Sequence, residues 1–337
     1  MSHERPTLAD VARRAGVSPT DAGMVLGGRA DTRLPAEAHV RVIAAATELA
    51  YRPLAKVHAE DSRTIAFVSD VIATTRFATG LISGALDAAQ EDGHVLLVLE
   101  TGGEVGRVAE AVDAAAARGV DGIIFGAMRA REVYVPPIPQ DIPVVMLNST
   151  SVTHPVSVLP DEVSGGRAAI AMLQERGHRD GIAIIGHDRG MEQTAFRSVS
   201  VARRLAGIRF EMESHGMGFV AEMFCWDWEP EDGYEATRTL LARRKDVSAL
   251  VCMNDRLAFG AYQAVAEAGL RVPEDLSIVS FDNDEISGYL RPRLSTVGLP
   301  HEQMGLEAVE LLLHPDGQNE HLIPMPLLRR ESIAQRR

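Results

Sequence analysis

Residues 7–26, TLADVARRAGVSPTDAGMVL, constrain this chain more than any other stretch. Thr7 and Asp10 have capping-box spacing, with Asp in place of Glu at the third helical position. Leu8, Val11, Ala12 and Ala15 fall on one face at helical spacing, which predicts a first helix of about eight residues. Gly16 stands where a left-handed stop is needed, and Val17 gives the turn an apolar plug. Ser18 is a good N-cap, Pro19 a good first helical residue, and Asp21 repeats the capping spacing. Ala22, Val25 and Leu26 face inward, and Gly27-Gly28 ends the second helix. A helical hairpin in an ordinary core is the bland reading. The sharper one is a helix-turn-helix, whose second helix is shaped to enter the DNA major groove.

The rest of the chain bounds the setting. At 337 residues there is room for two or three domains with real cores. No apolar run approaches the roughly 18 residues of a transmembrane helix, and MSHERPTL lacks the apolar core of a signal peptide. Two cysteines, Cys225 and Cys252, make no disulfide framework and have no metal-type spacing around them. Inert core thiols, a reducing cytoplasmic location, no membrane association, no metal and no cofactor are therefore expected. The net charge of −13 is unevenly spread: residues 1–58 carry eight basic and six acidic side chains, a net +2. A mildly cationic head on an acidic body suits a protein that meets phosphate at one end only.

Pro35 can open a third helix through Val40, Ile43, Ala44 and Leu49, which Tyr51-Arg52-Pro53 breaks. Residues 54–63, LAKVHAEDSR, read as a connector. From Thr64 short apolar strands alternate with Ala-rich helices: strands at 65–68, 94–99, 120–125 and 143–147, helices at 77–92 and 104–118. The rhythm restarts after residue 162, with helices at 164–176, 194–215, 231–243 and 255–268, and strands at 182–185, 219–224, 248–252 and 276–281. Such alternation indicates parallel sheets covered on both faces. The fold class is α/β: an all-α head, then two doubly wound lobes.

Several motifs recur in order along nearly the whole chain: TLADVARRAGVS (7–18), VLGGRAD (25–31), YRP (51–53), ERGHR (175–179), AFR (195–197), NDRLAFGAYQAVAEAGLRVPEDLSIVSFDN (254–283), PRLSTV (292–297) and RRES (329–332). As a set they resemble the LacI/GalR family of bacterial transcription regulators. The resemblance implies a helix-turn-helix head (1–53), a hinge (54–63) and a periplasmic-binding-protein-like core (64–337). Lobe 1 is expected at about 64–161 with 296–320, and lobe 2 at about 162–292 with 321–330. The resemblance further implies a homodimer on a palindromic double-stranded operator, with affinity set by a small effector, most simply a sugar, between the lobes. Val71, Ile72, Leu81 and the 301–313 helix are candidate contributors to the dimer contact.

Carried over by position, the base-reading residues are Pro19, Thr20 and Met24. Pro19 offers apolar contact, Thr20 one hydrogen bond, and Met24 stands where the family often has Arg, so bidentate pairing to guanine is missing there. Asp21-Ala22-Gly23 replaces the usual Thr-Val-Ser; Asp21 repels phosphate unless it caps its own helix. Arg29, Arg33 and Arg52 are candidate phosphate contacts, and Thr7, Ser18, Tyr51 and Lys56 complete the DNA-binding set. The hinge departs further, because Glu60 occupies the usual leucine wedge position and Asp61 follows it. A carboxylate pair facing stacked bases is unfavourable.

The cleft of a two-lobed binder lies at the carboxyl ends of the strands. There the candidate ligand-binding residues are Phe77, Asn148, Arg197, Trp228, Asn254 and Asp282, a set of polar groups around aromatics that suits a polyol. Three of them have competing readings, Phe77 as a core residue, Asn254 as a helix cap and Asp282 as a turn residue; Trp226 is expected to pack inside. No Walker loop, G-x-S-x-G or HExxH appears, so catalysis is not expected. The rival reading is a ligand sensor whose head has lost DNA binding and which acts through a protein partner.

Overall fold

The computed structural model describes residues 6–27, 34–49, 51, 63–73, 75, 77–187 and 199–336. The chain forms two units, Met1–Ser62 and Arg63–Arg337.

In the first unit, α1 (Leu8–Ala15), α2 (Pro19–Leu26) and α3 (Ala36–Glu48) surround a small core of Val11, Ala12, Ala15, Ala22, Val42, Ala45 and Ala46. Local chemistry sets each helix end. Thr7 and Asp10 close a reciprocal capping box on α1, and Gly16 ends it at φ 70°. Glycine reaches that left-handed region without the steric cost a Cβ would add. Ser18 caps α2 by accepting from the Asp21 amide, with Pro19 at the first helical position. Arg41 Nε donates to the Ala15 carbonyl at 3.1 Å, and Arg14 pairs with Glu48 at 2.8 Å, so α3 is pinned to α1.

The second unit holds two six-stranded sheets. The first contains β1 (Arg63–Ser69), β2 (His94–Glu100), β3 (Gly122–Glu132), β4 (Val144–Thr150), β5 (Ser157–Pro160) and β11 (Glu320–Ile323), in the order β11-β5-β4-β3-β1-β2. The second contains β6 (Ile182–Ile185), β7 (Ala221–Met223), β8 (Ala249–Cys252), β9 (Ser277–Asp282), β10 (Ser295–Gly298) and β12 (Leu327–Leu328), in the order β12-β10-β9-β8-β6-β7. Counted within each lobe, the two orders are identical. Central strands such as β1, β6 and β8 are buried on both faces, which is why they read as continuous apolar runs.

Helices α4 (Phe77–Glu91), α5 (Val105–Ala116) and α11 (His301–Leu313) cover the first sheet. The second is flanked by α6 (Glu162–Glu175), α7 (Val199–Ser214), α8 (Pro230–Arg243), α9 (Asp255–Glu267) and the short α10 (Glu285–Tyr289). Helix pairs approach through glycine. A Cβ on Gly84 would stand 1.8 Å from the Glu302 carbonyl oxygen in the α4–α11 contact, and one on Gly166 would stand 2.2 Å from that of Arg204 in the α6–α7 contact.

The chain passes between lobes three times, and the boundaries differ from those expected. β10, at 295–298, belongs to the second sheet and β11, at 320–323, to the first, so the later crossings lie at 298–301 and 323–327 rather than near 292–296 and 320. The four-residue strands SVLP and STVG carry too little pattern to register as strands in sequence. Leu81 is fully buried within its own lobe, and α11 buries Met304, Ala308 and Val309 there, so their apolar faces are committed to the lobe core. Among the described residues, no helix is long and apolar enough to cross a membrane.

Candidate functional site

The exposed side of α2 presents Pro19, Thr20, Met24 and Gly27, while Ala22 is fully buried and Val25 and Leu26 lean on the head core. The helix contains no basic residue. Its one charge, Asp21, accepts the Ser18 hydroxyl at 2.6 Å, which ties the carboxylate to the cap. Thr7 likewise donates to Asp10 at 2.7 Å. A hydroxyl has one proton to donate, so in this arrangement neither Thr7 nor Ser18 has a proton for a phosphate oxygen. The hydrogen bonds from Thr7 hold the Asp10 carboxyl below its ordinary value. Tyr51 is half-buried against the head core. Arg29, Arg33, Arg52 and Lys56 lie outside the described residues, as do Glu60 and Asp61 of the hinge.

In the second lobe the strand ends bring three candidates together. Trp228, at φ 59°, donates Nε1–H to the Gly186 carbonyl at 2.9 Å. Asn254 caps α9 by accepting from the Leu257 amide at 2.8 Å, and its Nδ2 donates to the Trp228 carbonyl at 3.1 Å. It is therefore a cap and a tie between two strand ends at once. Asp282, at φ 103°, places a carboxylate oxygen 3.8 Å from Arg204 Nη1. In the first lobe Asn148, at φ 51°, is buried and donates Nδ2–H to the Ala127 carbonyl at 2.8 Å. Opposite it the ladder slips: β3 residues 127–130 face this single β4 residue between the Gly126–Leu147 and Arg131–Ser149 pairs. Three non-glycine candidates thus sit in strained left-handed backbone at strand ends, a pattern typical of ligand clamps. Phe77 opens α4, but its side chain, like all of Arg197, lies outside the described residues.

Beneath Asp282 is a buried ionic cluster. Arg204 on α7 bonds Glu162 through Nε at 2.7 Å and Nη2 at 2.8 Å, donates to the Met253 carbonyl at 2.6 Å, and lies 4.3 Å over the Phe281 ring. Burial pulls its pKa down, but Glu162 and the neighbouring aspartates outweigh that and leave it raised. Asp255 is also buried. It accepts from Thr296 at 2.8 Å, the Asp284 amide at 2.7 Å and the Ser280 hydroxyl. Burial, then the nearby Asp282, pushes its pKa up to about 7.

Arg204 was not among the expected site residues, although a signal was present: it follows Ser200 by four positions and precedes Ile208 by four, on a helix face that is buried throughout. An Arg on a buried face requires anionic partners. The first lobe offers a cavity of about 140 Å³ between the ends of β1 and β3, lined by Asp70, Thr101, Gly103, Val105, Arg131 and Tyr134 among others. This is the point where the strand order reverses. Of the expected ligand residues whose side chains are described, Asn148, Trp228, Asn254 and Asp282, none lines it, and Arg131, which pairs with Asp70 at 2.8 Å, lies on the part of β3 beyond its expected end. Trp226, expected inside, is 61% exposed and packs edge-on against Phe224 with ring centroids 5.8 Å apart. Both cysteines are free and buried, and burial pushes Cys225 up to about 12. Among the described residues no group of acidic, His or Cys side chains is arranged to hold a metal.

A helix-turn-helix head joined to a two-lobed core with polar strand ends defines a class of ligand-responsive DNA-binding proteins. Residues 170–333 match the family model of the periplasmic binding protein-like domain. The HTH-type transcriptional repressor PurR of Vibrio cholerae is 28% identical over 327 residues, covering 94% of this chain and 93% of that protein. The lac repressor dimer bound to operator and the anti-inducer ONPF aligns at TM-score 0.66 and 25% identity, over 98% of this chain and all of that one. The complex of the transcriptional regulator CelR with cellobiose aligns at TM-score 0.60 and 25% identity, over 97% and 100%. These likenesses support a regulator of the LacI/GalR type. Its homologues are transcriptional repressors with ligand-binding cores, not enzymes.

Proposed function

We propose that this chain is a sequence-specific transcriptional repressor whose operator affinity is set by a small ligand, a sugar or sugar derivative, held between the lobes. The observation that carries the reading is one chain with both a capped helix-turn-helix and a core that carries Asn148, Trp228, Asn254 and Asp282 at or just beyond the ends of its strands, three of them at positive φ. Paired hydroxyls suit carboxylate and amide acceptors, and an indole face suits the apolar face of a sugar ring. The neighbour solved with cellobiose supports a sugar as the ligand. Two heads on a palindrome follow from the weak binding of one three-helix head. The protein then acts in the cytoplasm as a homodimer, with 54–63 coupling the head to the core.

A second reading, a ligand sensor working through a protein partner, draws support from the acidic recognition helix and from Arg13 and Arg14, which pair with Asp10 and Glu48 within the head. Fluorescence anisotropy with DNA from upstream of the chain's own gene separates the two. Salt-sensitive, saturable binding that shifts on adding a sugar from a thermal-shift panel is expected. Absence of binding to any such DNA, with a sugar-induced melting shift retained, would sink the repressor reading in favour of the sensor.

A further inference from the structure

Resting on the DNA-binding reading above, we infer that α2 selects thymine through its methyl group and does not select guanine. The exposed side chains of α2 are Pro19, Thr20 and Met24, with Met24 37% exposed. Reading guanine in the major groove takes paired donors from Arg or Lys, and reading adenine takes the amide of Asn or Gln. The helix, PTDAGMVL, has none of these. Cytosine is read by a carboxylate that accepts from its amino group, yet Asp21 is turned back onto the Ser18 hydroxyl at 2.6 Å and serves the cap. Ala22 is buried and Gly23 has no side chain, so neither adds a contact. Apolar surface from Pro19 and Met24, and the methyl and hydroxyl of Thr20, remain. The one apolar group on a base edge in the major groove is the thymine C5-methyl.

This defines the DNA partner chemically: half-sites with thymine on a defined strand beneath α2, read by packing rather than by bidentate hydrogen bonds. The discrimination at each position is correspondingly modest, about fourfold for one buried methyl group.

The test uses the full-length chain. Bound duplexes are selected from a randomised library, with the wild type and Met24→Arg in parallel. The position at which Met24→Arg changes the preference marks the base beneath residue 24. Thymine is expected there for the wild type and guanine for the variant. Replacing that thymine by deoxyuridine removes only the methyl and is expected to weaken wild-type binding about fourfold. Placing 5-methylcytosine there should recover part of the loss relative to cytosine. Wild-type selection of guanine at that position, or unchanged affinity with deoxyuridine, overturns the inference while leaving the repressor reading intact. Enrichment of no sequence at all overturns both.

Discussion

The two lobes of the core share one strand order, yet their strand ends are built differently. In the second lobe Glu162, Arg204, Asp255 and Asp282 lie buried together, and Arg204 links α6, the end of β8 and the end of β9. In the first lobe the corresponding edge carries a cavity and one half-exposed pair, Asp70 with Arg131. The same topology thus presents a preset carboxylate at the strand ends of one lobe and an open cavity at those of the other. Topology fixes where a site lies, and the few polar side chains at the strand ends fix how rigid it is.

On that contrast, Arg204→Met should give the largest effect in the molecule. The thioether fills part of the volume but leaves Glu162 and Asp282 buried without their cation. Removing one partner of a buried pair costs about 3–5 kcal/mol, because the remaining charge is uncompensated. Urea unfolding of wild type and variant at pH 8 measures it. Glu162→Gln combined with Arg204→Met should recover part of the loss, since the charge of Glu162, the closer of the two carboxylates, is then gone. A loss under about 1 kcal/mol for the single variant would show that the cluster is not the rigid element described here.

What was legible in the sequence divides along the same line. The head was readable almost residue by residue because its signals are local: Thr7 with Asp10, Gly16 in the left-handed region, Ser18 with Asp21. The alternation of helices and buried parallel strands was also visible, because a strand covered on both faces is an unbroken apolar run. Arg204 was missed because its meaning depends on Glu162, 42 residues away, and on Asp282 at the end of another strand. Arg131 was missed because β3 continues past a bulge into polar sequence, MRARE, that has no strand period. Asn254 reads in sequence as either a cap or a ligand residue because its two amide atoms serve different partners.

The second expected effect is a pH dependence confined to the second lobe. Burial and Asp282 raise Asp255 to about 7. The folded chain then binds a proton more readily than the unfolded one between the ordinary Asp value and that pKa. The stability this group contributes is fully present below the unfolded value and is lost as pH rises through about 7. Asp255→Asn abolishes the titration. The amide oxygen can accept from the Asp284 amide, and the amide nitrogen faces the Ser280 and Thr296 hydroxyls, which reorient as acceptors. The stability difference, wild type minus variant, should fall by up to about 1.4 kcal/mol per pH unit on going from about pH 5 to about pH 7. Urea midpoints across that range give the slope directly. A pH-independent difference would mean that Asp255 stays ionised throughout, and that the second lobe tolerates a buried negative charge better than its surroundings suggest.

The smallest effect is expected in the first lobe, and it bears most directly on the comparison. Arg131 is 43% exposed on its side chain, whereas its partner Asp70 is 11% exposed. Removing Arg131 leaves the Asp70 carboxylate with the Met128 amide at 3.2 Å and the Ser69 hydroxyl at 3.3 Å. Water entering the cavity can solvate the remainder. Arg131→Ala should therefore cost no more than about 1 kcal/mol, the range of a solvent-screened pair, and the cost should shrink further in high salt. A loss near that of Arg204→Met would place a buried ionic anchor in each lobe. The asymmetry between a preset carboxylate and an open cavity would then be a property of side-chain exposure alone, not of stability.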